Sequence, residues 1–240
     1  MRLFGLIGFP LEHSFSKLYF DEKFKSLNRE NKFELFPIKS IDNFIDLLKQ
    51  NPLLKGLAVT IPYKVSVINF LDELDTSAIE TGAVNCIKIS GNTKGYNTDI
   101  TGFERSLFSL PILHKKFLVL GDGGASKAVI YILKKNNFKF LQVARNFNPH
   151  GILYSEVNES IIKDYPVIIN CTSLGMFPNI NTKPEIPYQL LSPENLLFDL
   201  VYNPAKTAFM REGELRGAIV KNGLEMLQIQ AEENWRIWNE

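Results

Sequence analysis

The stretch that decides the fold is Phe117-Leu118-Val119-Leu120-Gly121-Asp122-Gly123-Gly124-Ala125-Ser126. Its first four residues predict a buried strand. The apolar spacing that follows predicts a helix whose buried face carries Ala128, Val129, Ile132 and Leu133. A strand, a glycine turn and a helix in this order are typical of a βαβ unit that binds a dinucleotide, because glycines let the backbone approach a pyrophosphate and the helix start offers free N–H groups. Ser126 stands where a third glycine is expected, so the stretch alone also fits an ordinary strand-to-helix turn.

The composition is that of an ordinary globular protein. The chain has 240 residues and is 45% hydrophobic, which is enough for one large domain or two small ones. A net charge of +1 gives no reason to expect a nucleic acid or a membrane surface as partner. The first apolar run ends at Gly8 and Pro10, too early for a signal or spanning helix, so we expect a cytoplasmic protein. Cys86 and Cys171 lie in apolar runs and are expected to be buried free thiols, and no metal site is expected.

Short strands and helices alternate along the first hundred residues. The pattern predicts strands at residues 3–7, 33–38 and 57–61, and helices at residues 16–27, 41–49 and 63–74. Residues 83–90 and 93–97 flank Gly91-Asn92 and predict a hairpin. We therefore expect an N-terminal α/β domain with a mixed sheet.

The second half continues the α/β pattern. Further strands are predicted at residues 138–143, 167–171, 196–201 and 218–220, and a last helix at residues 224–238. Residues 144–166 have weak periodicity, so we expect at best one short strand, near residues 152–157, and a shortened crossover after Arg145. The chain is predicted to form two α/β domains that join near Gly102.

Polar residues fall where the predicted strands end, and open α/β sheets bind ligands at such positions. Ser14 and Ser16 follow the first strand, and Thr60 and Lys64 follow the third. Each residue also has a structural explanation: a serine can cap a helix, and a lysine can be a solvated charge, although at a helix start it opposes the dipole. In the same way Asp99 can be a helix cap, Asn85 a bonded amide in a strand, and Gln230 an exposed helix residue.

Taken together, these motifs resemble the shikimate dehydrogenase family over nearly the whole chain. The matching segments occur in the family's order: Gly8-Phe9-Pro10 with His13, Ser14 and Ser16; Val59-Thr60-Ile61-Pro62-Tyr63-Lys64; Gly82-Ala83-Val84-Asn85; Asn97-Thr98-Asp99-Ile100-Thr101-Gly102; Gly121-Asp122-Gly123-Gly124-Ala125; Asn170-Cys171-Thr172-Ser173-Leu174-Gly175-Met176; Asp199-Leu200-Val201-Tyr202-Asn203-Pro204 with Thr207; and Gly223-Leu224-Glu225-Met226-Leu227 with Gln230.

The resemblance implies reversible reduction of 3-dehydroshikimate to shikimate with NADPH, a step in the biosynthesis of chorismate and the aromatic amino acids. It implies a substrate-binding domain at residues 1–101, on which a terminal helix at residues 224–240 packs back. Residues 102–223 would form an NADP-binding Rossmann domain. The partner would be this small-molecule substrate, and the protein would be a monomer or a homodimer.

The resemblance also implies a role for particular residues. Ser14 and Ser16 would hold the substrate carboxylate. Lys64 would be the acid/base, and Asp99 would hold that lysine charged and oriented. The remaining substrate contacts would be Thr60, Asn85, Tyr202 and Gln230. The cofactor contacts would be Gly121, Gly123, Gly124, Ala125, Arg145, Thr172, Ser173 and Gly223.

The choice of cofactor depends on Arg145, directly after the second strand of the βαβ unit. Arginine can pair with the 2′-phosphate of NADP, whereas an acidic residue there would bond the ribose of NAD. No Asp or Glu lies between Lys139 and Asn148, so NADP is favoured. Two departures from the family pattern concern this end: Asp122 adds a negative charge to the glycine turn, and no second basic residue follows Arg145 closely.

Two alternatives belong to the same fold. One is an NAD-dependent quinate/shikimate dehydrogenase, and the other is a ligand-sensing relative without catalysis. A sensor needs hydroxyl contacts but no proton donor, so the presence of both Lys64 and Asp99 favours an enzyme.

Overall fold

The structure is a computed structural model that describes residues 2–11, 14–111, 116–147, 149 and 151–240. Its contacts divide the chain into two units. Unit 1 comprises Met1–Thr98 and Gln230–Glu240, and unit 2 comprises Asp99–Ile229. None of the helices in the described ranges is both long enough and apolar enough to span a membrane.

Unit 1 is built on a six-stranded mixed sheet. Its strands run in the order β2-β1-β3-β5-β6-β4; β1 is parallel to β2 and β3, whereas β5 is antiparallel to β3 and β6. This confirms the predicted mixed sheet and the hairpin across Gly91. The elements are β1 (Arg2–Gly8), α1 (Phe15–Ser26), β2 (Asn31–Pro37), α2 (Phe44–Gln50), β3 (Leu54–Val59), β4 (Glu73–Leu74), α3 (Thr76–Thr81), β5 (Cys86–Ile89) and β6 (Thr93–Tyr96).

The helix predicted at residues 63–74 is wrong. A 3-10 helix, Ser66–Phe70, occupies its centre, and its end is strand β4. The carboxylate of Asp72 accepts hydrogen bonds from the backbone N–H of Thr93 at 2.7 Å and from its hydroxyl at 2.8 Å. These bonds and the pairing of β4 with β6 hold the end of the segment at the edge of the sheet. Tertiary contacts thus override the apolar periodicity that favoured a helix.

Unit 2 is built on a six-stranded parallel sheet. The strand order is β12-β11-β10-β7-β8-β9, which is the doubly wound order of a Rossmann fold. Its elements are α4 (Asp99–Phe108), β7 (Phe117–Leu120), α5 (Gly124–Lys135), β8 (Phe140–Ala144), β9 (Gly151–Leu153), α6 (Glu159–Asp164), β10 (Val167–Asn170), β11 (Leu196–Asp199), α7 (Ala208–Glu214), β12 (Ile219–Lys221) and α8 (Leu224–Asn239), which continues into unit 1 from Gln230.

The crossover after Arg145 is short, as predicted. Only six residues separate β8 from β9, and the described ones among them form no helix. A parallel crossover with a helix needs a dozen residues or more, so this connection has no room for one. Strand β9 lies at the beginning of the short strand expected near residues 152–157, whereas the helix α6 is not predicted, because it is shorter than two turns.

The sheet of unit 2 is buried on both faces, which explains the unbroken apolar run of β7. Phe117 and Val119 pack in one core with residues of α4 and α5 such as Leu107 and Val129. Leu118 and Leu120 point to the opposite face and pack in a second core. Parallel strands covered on both sides are expected to be apolar at every position.

Candidate active site

The ends of β1 and β3 in unit 1 are held against each other. The backbone N–H of Thr60 donates to the carbonyl of Ile7 at 2.9 Å, and the N–H of Phe9 donates to the carbonyl of Ile61 at 3.1 Å. A Cβ on Gly8 would overlap the methyl group of Thr60. The glycine therefore lets Thr60 pack directly on the end of β1.

Ser14 and Ser16 lie at the beginning of α1, and both are half-buried. Ser14 occupies the N-cap position with extended backbone angles, yet its side chain makes no capping hydrogen bond. The capping explanation for Ser14 is therefore not supported. His13 lies outside the described residues.

Lys64 lies in a turn between β3 and the 3-10 helix, and it is half-buried. No α-helix begins there, so the argument that its charge opposes a helix dipole was wrong. The carbonyl of Lys64 accepts a hydrogen bond from the N–H of Val84 at 2.7 Å, and the N–H of Val59 donates to the carbonyl of Asn85 at 2.8 Å. These two bonds place the turn that carries Lys64 alongside the segment that carries Asn85.

Asn85 and Gln230 meet in a buried network of unit 1. The Asn85 amide donates to Oε1 of Gln230 at 3.3 Å, and its Oδ1 accepts the N–H and hydroxyl of Thr98 at 2.7 and 3.1 Å. The same Gln230 oxygen accepts from Asn234 at 3.3 Å. Asn85 is 2% exposed and Gln230 8%, so the alternative of an exposed helix glutamine is wrong. The structure thus joins two predicted substrate contacts that are 145 residues apart in the chain.

Asp99 and Tyr202, the other two residues predicted at the substrate, belong to unit 2. Asp99 is the first residue of α4 and is 5% exposed. A carboxylate in the first turn of a helix is favoured by the helix dipole. Tyr202 is half-buried in the connection between β11 and α7.

The glycine turn between β7 and α5 has the geometry that a pyrophosphate site requires. Gly121 has a φ of +106°, which favours glycine, and a Cβ on Gly123 would meet no atom within 4 Å. Gly124 and Ala125 are the first two residues of α5, so their N–H groups lie in the unpaired first turn. The turn therefore fits a bound dinucleotide.

Ser126 has a structural role that accounts for the missing third glycine. It is fully buried, and its hydroxyl donates to the carbonyl of Gly123 at 2.7 Å. A small side chain with a local hydrogen bond thus closes the turn where glycine would only leave space.

Arg145 and Asp122 are both exposed, Arg145 directly after β8 and Asp122 inside the glycine turn. Both charges act on the buried hydroxyl of Tyr154. Burial is the main reason that the pKa of Tyr154 is raised to about 12; Arg145 lowers the pKa and Asp122 raises it. Asp122 follows β7 and Arg145 follows its parallel neighbour β8, so both lie at the same end of the sheet, where exposure lets water screen the charge of Asp122.

The same end of the sheet, at the carboxyl ends of its strands, carries Thr172 and Ser173 after β10 and Gly223 after β12. The methyl group of Thr172 packs against Gly121, where a Cβ would lie 2.9 Å from it. Ser173 is exposed. A Cβ on Gly223 would overlap the carbonyl of Leu200, so only glycine fits at the position before α8.

Asn170 and Asp199 belong to the family motifs but have no role in the predicted site, and both are fully buried at the ends of β10 and β11. The Asn170 amide donates to Asp199 at 2.9 Å. Burial raises the pKa of Asp199 to about 6, while hydrogen bonds from Thr207, Val201 and Asn170 oppose the rise. The sequence feature that could have identified both residues is a polar side chain at the end of an otherwise apolar strand.

Both cysteines are buried free thiols, as predicted, and burial raises the pKa of each. Across the described part of the chain, no group of three or more His, Cys, Asp or Glu residues could hold a metal ion.

The class of protein follows from these features. A mixed-sheet α/β unit with polar side chains at its strand ends, combined with a Rossmann unit whose glycine turn fits a dinucleotide, defines a two-domain nucleotide-binding α/β protein.

Comparisons with known proteins identify the family. Residues 6–87 match the family model described as the shikimate dehydrogenase substrate binding domain. A Methanococcus maripaludis protein named shikimate dehydrogenase (NADP(+)) is 35% identical, with 99% of this chain and 91% of the relative covered. One of the same name from Caldanaerobacter subterraneus is 34% identical, with 99% and 91% covered. The chain belongs to the shikimate dehydrogenase family.

Solved structures agree. The shikimate dehydrogenase of Aquifex aeolicus superposes with a TM-score of 0.89 at 32% identity, with 100% of this chain and 92% of that chain covered. The Thermus thermophilus enzyme, solved in complex with NADP(H) and shikimate, gives a TM-score of 0.85 at 27% identity, with 99% and 93% covered.

Proposed function

We propose that this protein catalyses the reversible NADPH-dependent reduction of 3-dehydroshikimate to shikimate, in the biosynthesis of chorismate and the aromatic amino acids. The observation that carries the proposal is the similarity over 99% of the chain to relatives named NADP(+)-dependent shikimate dehydrogenases. A cytoplasmic location and a monomeric or homodimeric state remain predictions from the sequence.

Unit 1 supplies most of the proposed substrate contacts. Ser14 and Ser16 bind the carboxylate, supported by their position at the beginning of α1, where N–H groups and the helix dipole favour an anion. Thr60, Asn85 and Gln230 bind ring hydroxyls. The bond from Asn85 to Gln230 and those from Thr98 fix the Asn85 amide, so the site is preorganised before substrate arrives. Tyr202 of unit 2 completes the proposed set.

Lys64 is the proposed acid/base. Reduction of the ketone leaves developing negative charge on its oxygen, and an ammonium group nearby stabilises that charge and delivers the proton. Asp99 is the proposed partner that holds the lysine charged. Its place in the first turn of α4, where the helix dipole favours a negative charge, supports this role.

The nucleotide end of the proposed site lies on unit 2. Bound NADPH supplies the hydride. Gly121, Gly123, Gly124 and Ala125 bring backbone N–H groups to the pyrophosphate, and Arg145 pairs with the 2′-phosphate. Thr172, Ser173 and Gly223 complete the set at the ends of β10 and β12.

The decisive experiment is NADPH formation from NADP⁺ and shikimate by the purified protein. We expect turnover with this pair, and a rate with NAD⁺ that is lower by about tenfold or more, because Arg145 replaces the acidic residue that NAD enzymes use. A higher rate with NAD⁺ and quinate would establish the quinate/shikimate alternative. Tight shikimate binding without turnover in folded protein would establish a ligand-sensing relative.

A further inference from the structure

Asp199 is a buried carboxylate that the proposed chemistry does not use. It accepts hydrogen bonds from the hydroxyl of Thr207 at 2.5 Å, the amide of Asn170 at 2.9 Å and the N–H of Val201 at 3.0 Å. All three donors are neutral. Burying a carboxylate whose partners are neutral donors lowers the stability of the fold compared with burying an apolar or amide side chain. Packing alone therefore does not explain why an aspartate stands at this position.

One route from Asp199 leads to Thr172. Asn170 donates to Asp199, and its Oδ1 accepts the N–H of Thr172 at 3.0 Å and the Thr172 hydroxyl at 2.7 Å. The hydroxyl of Thr172 in turn accepts the N–H of Leu174 at 3.2 Å. Since the methyl group of Thr172 packs on Gly121, the orientation of Asn170 sets both the start of this loop and one wall of the glycine turn.

A second route leads to Gly223. Asp199 holds the N–H of Val201, and the carbonyl of Val201 accepts the N–H of Gly223 at 3.1 Å. Gly223 has no room for a Cβ because the Leu200 carbonyl abuts it. The backbone at Val201 therefore determines where α8 begins, and Asp199 determines the backbone at Val201.

We propose that Asp199 is a positioning residue for the nucleotide: its carboxylate holds Thr172 and Gly223, which lie on different connections, in one fixed relation to the glycine turn. The inference rests on the proposed function, because it assumes that NADP binds at the carboxyl ends of the strands of unit 2. Asp199 acts through Asn170 and Val201 and does not itself contact the nucleotide.

The test compares Asp199→Ala with Asn195→Ala. Asn195 precedes the opposite end of the same strand, is 4% exposed, and accepts the N–H of Ser192 at 2.8 Å. Each substitution thus removes a buried polar side chain next to or within β11, but only Asp199 lies at the end of the strand where the nucleotide is proposed to bind. NADPH affinity is measured by fluorescence titration, and amide hydrogen exchange is measured at Thr172 and Val201.

We expect Asp199→Ala to weaken NADPH binding by about tenfold or more, which is the effect of losing one to two hydrogen bonds that position the site. We also expect faster hydrogen exchange at both amides. Asn195→Ala should leave both quantities within about twofold. Shikimate affinity, measured by calorimetry, should stay unchanged in both variants. If Asp199→Ala does not fold, Asp199→Asn, which keeps one accepting oxygen, should give a smaller loss in the same direction.

NADPH affinity equal to that of the unaltered protein in a folded Asp199 variant would overturn the inference, as would an equal loss in Asn195→Ala. Shikimate oxidation by the unaltered protein tests the proposed function separately. An active enzyme with Asp199-independent NADPH binding would therefore refute the positioning role and leave the function standing.

Discussion

Lys64 is the residue on which the proposed chemistry depends most directly. Its side chain is half-buried, and its backbone is fixed to the segment that carries Asn85 through the bond from Val84. A lysine in such a turn can keep its stem packed and present only the ammonium group. Its position therefore suits proton transfer to a substrate better than a freely moving surface charge would.

Replacing Lys64 with Ala should lower kcat by about 10²-fold to 10⁴-fold, the usual contribution of a positioned general acid. The dissociation constant for shikimate should change little, because the proposed carboxylate and hydroxyl contacts remain. Steady-state rates and calorimetric titration with shikimate check the two expectations. Lys55→Ala, at an exposed position of β3, is the matched control and should keep normal turnover. Normal turnover in Lys64→Ala would remove the residue from the mechanism.

Asp199 should make stability depend on pH in a particular direction. Burial raises its folded-state pKa from the ordinary 3.8 to about 6, so between about pH 4 and 6 the folded protein holds a proton that the unfolded chain has released. Its contribution to stability is therefore present below about pH 4 and is lost as the pH rises through 6. The shift of about two units corresponds to about 3 kcal/mol.

Urea unfolding of the unaltered protein and of Asp199→Asn at several pH values measures this contribution. The free energy of unfolding of the variant should rise relative to the unaltered protein between pH 4 and 7, by up to about 3 kcal/mol. The residue would then lower stability where it supports nucleotide binding, a common cost of a functional group. A difference that is constant over this range, or that changes in the opposite direction, contradicts the assignment.

At the scale of elements, β7, the glycine turn and α5 agree with their local sequence at every level. The strand is apolar on both faces, Gly121 adopts a positive φ, and Ala128, Val129, Ile132 and Leu133 are buried as predicted. Local propensity and tertiary packing require the same conformation here. The sequence could therefore predict the order of these elements and the buried face of the helix.

Helix α8 carries Gln230 into unit 1, and Trp238 anchors it there. Trp238 is 4% exposed, its ring stacks on Phe4 at 5.1 Å, and its indole N–H donates to the carbonyl of Ile87 at 3.0 Å. A Cβ on Gly56 would overlap the indole, so the glycine in β3 makes the space for it.

Trp238→Ala should lower the free energy of unfolding by about 3 to 5 kcal/mol, because it leaves a large cavity and removes the hydrogen bond to the carbonyl of Ile87. It should also weaken shikimate binding, since it loosens the end of the helix that carries Gln230. Denaturant unfolding and calorimetry measure the two effects. Trp235→Ala, a half-buried neighbour on the same helix, is the control and should cost less. A larger loss in Trp235→Ala would show that Trp238 is not the anchor.

At the scale of the whole molecule, each unit has its own sheet and its own cores. The proposed substrate contacts lie mainly in unit 1, and the proposed cofactor contacts lie in unit 2. Each ligand should therefore stabilise its own unit first.

Hydrogen exchange in the presence of one ligand at a time checks this division. Shikimate at 100 times its Kd should slow exchange mainly at residues 57–64 and 84–86, and NADP⁺ mainly at residues 121–126 and 172–175, by up to about 2.7 kcal/mol of added protection. Protection by NADP⁺ that is confined to unit 1 would contradict the assignment of the two sites.

The sequence by itself determined the α/β class, the Rossmann unit, the mixed sheet and the family. Periodicity, glycine placement and motif order are local properties, and they survive in the folded state because packing demands the same pattern. The shortened crossover after Arg145 was also predictable, since six residues cannot hold a helix and its turns.

Only the tertiary structure decided the rest. The end of the segment at residues 63–74 joins the sheet as β4, next to the hydrogen bonds between Asp72 and Thr93, and the local pattern of the segment does not include Thr93. Gln230 is buried because the fold places it against Asn85, to which it is hydrogen-bonded. Asp199 can connect Thr172 with Gly223 because the ends of three strands lie next to each other. A buried polar group forms its hydrogen bonds with whichever partner the fold brings next to it, and the position of that partner in the sequence cannot be predicted from the local pattern.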